Sequence, residues 1–140
     1  MKKPTSSWKI ALFTLGVVIS CINATESWAF TLIETQFLPA VQLGASQSAQ
    51  IKVTNTSSNN LDVVITTFND GGARLSQTSV TILPLHTQTV AVKSGATGPL
   101  SFRATLALSA ANSSVADVMM FDKTTGQLVV VLPFVVLPNP

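Results

Sequence analysis

Apolar and polar residues alternate along much of the chain. The segments "QIKVTN" (50–55), "TVAVKS" (89–94) and "SFRATLALS" (101–109) place an apolar side chain at every second position. The segment "LDVVITTF" (61–68) is denser in β-branched residues, which predicts a more buried strand. No segment keeps the period of an amphipathic helix, so the pattern predicts β-strands. The predicted inward-facing residues are Ile51, Val53, Val90, Val92, Phe102, Ala104, Leu106 and Leu108.

Turn signals separate these segments at short intervals. They are "LGASQS" (43–48), "NTSSNN" (55–60), "NDGG" (69–72), "SGATGP" (94–99), "AANSS" (110–114) and "DKTTG" (122–126). Asn, Asp and Gly tolerate the positive φ that tight turns require. Short strands separated in this way predict an all-β fold, an antiparallel β-sandwich of about 7–9 strands.

The first and last strands of this predicted sandwich contain prolines. "FTLIETQFLPAVQL" (30–43) is interrupted at Pro39, which has no N–H to donate, so we expect an edge strand or a change of sheet there. The tail "QLVVVLPFVVLPNP" (127–140) is continuously apolar, and this predicts a last strand that is buried on both faces. The alternative is an exposed strand that pairs with a protein partner, formed by Phe134, Val135, Val136 and Leu137.

Residues 1–29 have the pattern of a secretory signal peptide. Lys2, Lys3 and Lys9 precede an apolar run at 10–22, and a polar stretch follows at 23–29. The apolar run is shorter than the roughly 20 residues of a membrane-spanning helix, which favours a cleaved leader over an anchor. We therefore predict a signal peptide at 1–29, one β domain at 30–140, and export to the periplasm, the cell surface or the medium.

Two cleavage sites fit this leader. Cleavage after Ala29 places the small residues Ser27 and Ala29 at the −3 and −1 positions, and the pattern favours this site. The alternative takes "VISC" (18–21) as the signal of a bacterial lipoprotein, with cleavage before Cys21 and lipid attached to its sulfur. In that case the domain would be tethered to a membrane through lipid on Cys21. Cleavage after Ala29 would instead leave no cysteine and therefore no disulfide.

The charge of the predicted domain differs from that of the whole chain. Three of the eight basic residues (Lys2, Lys3, Lys9) and one of the six acidic residues (Glu26) lie before residue 30, which leaves five of each. The sequence pI of about 9.0 therefore comes from the leader. A neutral domain offers no basic surface for nucleic acid. Only 10% of the residues are charged, against about a quarter in typical domains, which suits a crowded envelope or an assembly.

The inventory of reactive side chains argues against catalysis. His86 is the single histidine, so a Ser-His-Asp site would need it as the base, yet no serine lies in a G-x-S-x-G motif. Asp70 and Asp122 are candidate calcium ligands, although both turns are explained by Asp side chains that bond their own backbone. We therefore expect no enzyme activity, no catalytic residues, no metal and no cofactor.

Three segments carry a resemblance to a known class of proteins. They are "SAQIKVTNTSSNNLDVVITTFNDGGARLSQTSVTILPLHTQTVAV" (48–92), "FRATLALS" (102–109) and "DVMMFDKTTGQLVVVLP" (117–133). This pattern resembles small secreted bacterial immunoglobulin-like β-sandwich proteins of the cyanobacterial type, most of them uncharacterised. The resemblance implies an immunoglobulin-like sandwich with a closing hairpin at "FDKTTG", and it implies no functional residues. The chain departs from true immunoglobulin domains, since it has no cysteine pair, no tyrosine, and tryptophans (Trp8, Trp28) only in the leader.

These observations together predict an exported, non-enzymatic immunoglobulin-like module. Such a module would act through protein–protein or surface contacts in the cell envelope, in a structural, adhesive or appendage-accessory role with a protein partner. The alternative is a lipoprotein that is anchored through Cys21 and carries the same domain as a binder. A small-ligand carrier or an enzyme is less favoured, because either would need a concave site with convergent polar groups.

Overall fold

A computed structural model describes residues 31–92 and 99–136, and in these residues the chain forms nine β-strands. Cys21, Ser27, Ala29 and Leu137 lie outside the described residues. The strands are β1 (Glu34–Leu43), β2 (Gln47–Asn55), β3 (Leu61–Asn69), β4 (Arg74–Ile82), β5 (Thr87–Ala91), β6 (Leu100–Leu108), β7 (Ser114–Asp122), β8 (Leu128–Pro133) and β9 (Val135–Val136).

The strands form two antiparallel sheets that share one core. The five-stranded sheet has the order β4-β3-β6-β1-β9, and the four-stranded sheet has the order β5-β2-β7-β8. Every pair of neighbouring strands is antiparallel. Buried apolar side chains from both sheets form a single cluster. The prediction of an all-β fold with antiparallel pairing is therefore confirmed.

The alternation in the sequence sets which side chains enter the core. Ile51 and Val53 of β2 are fully buried, and their neighbours Lys52 and Thr54 are half-buried on the opposite face. On β6 all four predicted inward residues, Phe102 to Leu108, are buried at every second position. Val92 is also buried, and Val90 packs against the core. Burial of these side chains is the main stabilising contribution, at about 25 cal/mol per Å² of apolar surface.

The alternation does not predict β4 or β7, and the reason differs between the two strands. On β4 the inward positions include Ser76 and Thr78, so both of its faces look polar in the sequence. Ser76 is accommodated because its hydroxyl bonds the hydroxyl of buried Thr67 at 2.8 Å. On β7 both faces look apolar, because half-buried Met119 and Phe121 alternate with core residues.

The first strand keeps one partner along its whole length and bends at its proline. β1 pairs with β6 from Glu34 to Leu43, and the register shifts between Leu38 and Val41, the bulge that contains Pro39. On the other side β9 pairs only with Gln36 and Phe37, so in the described residues β1 is an edge strand beyond that point. The expectation of an edge at Pro39 is confirmed, and β1 does not change sheet.

The prediction of a last strand buried on both faces is wrong. β8 is the outer strand of the four-stranded sheet, and half of the side chain surface of Leu128 and Val129 is exposed. The chain then crosses to the other sheet after Pro133, where β9 pairs with β1. The continuous apolar run of the tail therefore forms two edge strands, β8 in the four-stranded sheet and β9 in the five-stranded sheet.

Buried Asn55 joins two loops at one end of the molecule. Its side chain amide donates to the carbonyl oxygens of Asn59 (2.7 Å) and Ile82 (2.9 Å), and also to that of Leu83. Its side chain oxygen accepts hydrogen bonds from the backbone N–H and the hydroxyl of Ser57. Because Asn55 is fully buried, these bonds replace the ones it would make with water.

A second buried polar group holds the turn between β6 and β7. The carboxylate of Glu34 accepts hydrogen bonds from the side chain amide of Gln36 (2.8 Å) and from the backbone N–H of Asn112 (2.7 Å). Gln36 also donates to the hydroxyl of Ser114. Asn112 has φ 51°, a conformation that Asn tolerates better than most residues. This polar cluster therefore fixes a turn rather than forming an open site.

Candidate functional site

The exposed apolar side chains of the molecule are concentrated on one lateral side. Eleven large apolar side chains are exposed in the described residues, and nine of them lie on β8 and β9, on the neighbouring strands β7 and β1, or just before β1. We call this surface the β8–β9 side. Its members are Leu32, Ile33, Phe37, Val115, Leu128, Val129, Val131, Val135 and Val136.

The hydrogen bonds of β8 show which backbone groups face outward. Phe134 N–H donates to the carbonyl oxygen of Ala116 at 2.9 Å, and the pairing continues with Met119 opposite Val131. Opposite pairs in an antiparallel ladder alternate between bonded and non-bonded. Val131 is therefore at a non-bonded position, and its N–H and C=O point away from β7. Pro133 occupies an equivalent position, where its missing N–H costs no bond.

Within the described residues β8 is an edge strand, and its outer edge carries no charge. The chain has no Asp, Glu, Lys or Arg between Thr124 and Val136. The nearest charged residues along the chain are Asp122 and Lys123, in the turn before β8, and on β7 Asp117 lies opposite Pro133. Natural edge strands are usually protected by charges, prolines or bulges. Here Pro133 and a bulge between Val130 and Leu128 protect the ends of β8, and its centre remains open.

The opposite lateral side, formed by the edge strands β4 and β5, is polar. We call it the β4–β5 side. Its outward residues are mostly Thr, Ser and Gln, and several of them make side chain hydrogen bonds. The hydroxyl of Thr81 donates to Asp62 at 2.6 Å, and the hydroxyls of Thr54 and Thr87 are 2.9 Å apart. The polar groups of this side can bond water or these neighbours, and the side offers little apolar area to a partner.

The loop between β4 and β5 carries the two remaining exposed apolar side chains, Leu83 and Leu85. Leu85 is 77% exposed and has φ 59°, a left-handed conformation that is strained for a residue with a side chain. His86 follows, and its Nδ1 lies 2.7 Å from the carbonyl oxygen of Pro84. Within the described residues no acid bonds this ring, and the contact that it makes is with the turn itself.

The two candidate calcium aspartates make different contacts. Asp122 accepts hydrogen bonds from the backbone N–H groups of Thr125 (2.9 Å) and Thr124 (2.8 Å), and these bonds lower the pKa of its carboxyl. Asp70 instead accepts a hydrogen bond from the hydroxyl of Ser101, while Asn69 bonds the turn. Within residues 31–92 and 99–136, no three His, Cys, Asp or Glu side chains come close enough to hold a metal ion.

An open hollow of about 510 Å³ lies at one end of the five-stranded sheet. Its polar lining consists mainly of Gln42, Asp70 and Ser101, together with backbone at Gly44. Asp70 and Ser101 already bond each other, so few polar groups remain to orient a ligand. The hollow therefore gives weak support to a small-ligand carrier.

The site residues predicted from the sequence fall into three groups. Cys21, Ser27, Ala29 and Leu137 lie outside the described residues. Phe134 is half-buried against the core, whereas Val135 and Val136 are exposed and form β9. The exposed residues of β8 differ from the prediction, because a continuous apolar run predicts burial on both faces. Pro133 is the signal in the sequence for an edge strand, because a proline cannot donate to a central ladder.

Comparison with known proteins gives one distant structural likeness. No protein-family profile and no curated protein matches the chain. The fold is similar to the crystal structure of Thermotoga maritima 1070, with a TM-score of 0.57 and 11% sequence identity. The likeness covers 78% of this chain and 97% of the other. At this identity the likeness concerns the fold alone. The described part of the chain also contains no helix that is long and apolar enough to cross a bilayer.

Proposed function

We propose that this chain is an exported, non-enzymatic immunoglobulin-like module that acts by protein–protein contact in the cell envelope. The observation that carries the proposal is the β8–β9 side, where nine exposed large apolar side chains lie beside a strand that is at the sheet edge in residues 31–92 and 99–136. Contiguous exposed apolar surface on a folded protein usually marks an interaction site. The role is structural, adhesive or accessory to an appendage.

The chemistry of this side favours a protein over other ligands. An open strand edge offers alternating N–H and C=O groups, which an extended peptide strand matches. Val131 offers both groups, and the exposed side chains of Leu128 and Val129 nearby supply apolar contact area. Aliphatic side chains without charge give nucleic acid no phosphate contacts.

The immunoglobulin-like part of the proposal rests on two features. Two antiparallel sheets around one core suit that architecture, and the segments at 48–92, 102–109 and 117–133 resemble it in sequence. β7 and β8 form a hairpin across "DKTTG", where the resemblance implies one.

Export, and the form of the mature chain, are tested by intact mass. Protein purified from a bacterium that expresses the full chain should have the mass of residues 30–140, which places the cleavage after Ala29. A mass that begins at Cys21 and includes acyl groups would instead support the tethered form, in which lipid on Cys21 holds the same module at a membrane. A full-length mass would contradict both.

The contact surface is tested by photocrosslinking in cells. A photoreactive amino acid is introduced at Val129 on the β8–β9 side, or at Thr89 on the β4–β5 side as the matched control. We expect a discrete crosslinked product from position 129 and none from position 89. No product from position 129, or the same products from both positions, would overturn the proposal.

A further inference from the structure

We propose that the partner of β8 is a second copy of this chain, which pairs antiparallel with β8 about a two-fold axis at Val131. This inference rests on the proposed function, because it names the occupant of the same surface. The two copies would join their four-stranded sheets edge to edge.

The first argument is electrostatic self-complementarity. A two-fold axis places each strand opposite its own copy, so any charged residue at the centre meets the same charge. The whole stretch from Thr124 to Val136 carries no charge, and so it meets no such repulsion. By contrast, β4 begins with Arg74.

The second argument is the register. With the axis at Val131, the flanking opposite pairs are Val130 with the copy's Leu132 and Val129, at the bulge, with its Pro133. Every pair is apolar, and most include a β-branched residue, the type that forms favourable cross-strand pairs. The exposed surface of Val131, 45% in one copy, would be covered in the pair.

The third argument is hydrogen bonding. The outward N–H and C=O of Val131 meet the same groups of the copy, so the axis creates two backbone hydrogen bonds. The Val129–Pro133 pairs lack the donor of the proline, because proline has no N–H, so the two bonds between the Val131 residues are the ones that favour this register over one that sets Val131 opposite Pro133. The bulge next to Val129 and the proline at 133 limit the pairing to a short segment, and the isologous contact closes as a dimer.

The test uses the full chain, expressed with its leader and purified after the processing that the cell performs. Sedimentation of the wild type at about 100 µM, where complexes of micromolar Kd are populated, should show a dimer. Val131→Lys should weaken the dimer at least about tenfold, since it sets two like charges opposite each other. Thr89→Lys on β5 is the matched control and should leave the dimer intact, and circular dichroism checks that both variants fold.

A second measurement fixes the register. In a Cys21→Ser background, Val131→Cys places two thiols across the axis at the Cα spacing of about 5.5 Å that a disulfide accepts. An added copper–phenanthroline oxidant takes two electrons from the thiols while their two protons pass to the buffer, and the resulting S–S bond should give a covalent dimer. Ser79→Cys on the exposed edge strand β4 should stay monomeric.

The outcomes separate this inference from the proposed function. A monomeric wild type, or equal crosslinking of the two cysteine variants, overturns the dimer. If the photocrosslinked product from position 129 then has the mass of this chain plus a different protein, the contact surface stands with another occupant. If it has twice the mass of this chain, both proposals are supported. No product at all overturns the contact surface itself.

Discussion

The two lateral sides of this molecule are built from the same kind of element and have opposite chemistry. Each side carries one edge strand from each sheet, β4 and β5 on one side and β8 and β9 on the other. The β4–β5 side presents hydroxyl and amide groups, several of which make side chain hydrogen bonds, whereas the β8–β9 side presents mostly valines and leucines. Packing of the core requires neither polar nor apolar residues at these outward positions, since outward side chains do not enter it. The difference is therefore informative about contacts outside the fold.

The largest expected change in the free energy of unfolding comes from truncating a core side chain, and it contrasts with truncation of an exposed side chain of β8. Leu106→Ala, at a fully buried position of β6, should lower the free energy of unfolding by about 2–5 kcal/mol, because it leaves a cavity. Val131→Ala should change it by no more than about 0.5 kcal/mol. Urea unfolding, at a concentration too low for association, measures both. Equal losses would mean that β8 belongs to the core after all.

The next effect concerns what holds the loops of the β4–β5 side. Asn55→Ala removes a buried side chain that bonds both the 56–60 loop and the turn after β4. We expect a loss of about 1–3 kcal/mol, because the carbonyl groups of Ile82 and Leu83 lose a donor. Asn59→Ala is the control, since Asn59 contributes only backbone atoms to this cluster. A similar loss in both variants would contradict the assignment.

A smaller effect of opposite sign is expected at the tip of the β4–β5 loop. Leu85→Gly should raise the free energy of unfolding by about 0.5–1 kcal/mol, because glycine adopts φ 59° without strain. Leu83→Gly has no positive φ to relieve and should lower it by a similar amount. Thermal unfolding compares the pair. If Leu85→Gly destabilised the protein, contacts of the leucine side chain would outweigh its backbone strain.

The smallest effect lies in the turn that leads into β8. The pKa of Asp122 is lowered by the N–H groups of Thr125 and Thr124, so the ionised carboxylate stabilises the folded state. That stabilisation is complete above the usual pKa of a carboxyl group, and it is lost as the pH falls through the lowered pKa. Asp122→Asn keeps an acceptor at every pH. The stability difference between wild type and variant should therefore narrow on acidification, as urea midpoints would show; a constant difference would exclude this role.

The sequence was a good guide where one face of a strand is buried and the other is polar. β2 and β6 show this plainly, since Ile51 and Phe102 enter the core as the period of two predicts. The prediction failed for strands whose two faces carry the same type of residue. β4 buries hydroxyls and β8 exposes valines, so neither strand shows the contrast that periodicity detects.

The candidate site could be predicted only in part for the same reason. An exposed strand after Pro133 was one of two interpretations of the tail, and Val135 and Val136 are exposed. Their pairing with β1 depends on which strand lies at the sheet edge, a property of topology that local residues do not encode. The buried polar groups Asn55 and Glu34 were also missed, because their partners are distant in sequence.

The pairing of β1 also sets the order in which the molecule can be completed during synthesis. β1 is among the first described residues to leave the ribosome, yet its partners β6 and β9 begin at Leu100 and Val135. The backbone groups of β1 therefore cannot form these interstrand hydrogen bonds until most of the chain has been synthesised. Long-range pairing of this kind slows folding. Most of β1 finds its partner only when β6 has emerged, and the five-stranded sheet is complete only when β9 has emerged, so the nascent chain stays exposed to chaperones over that interval.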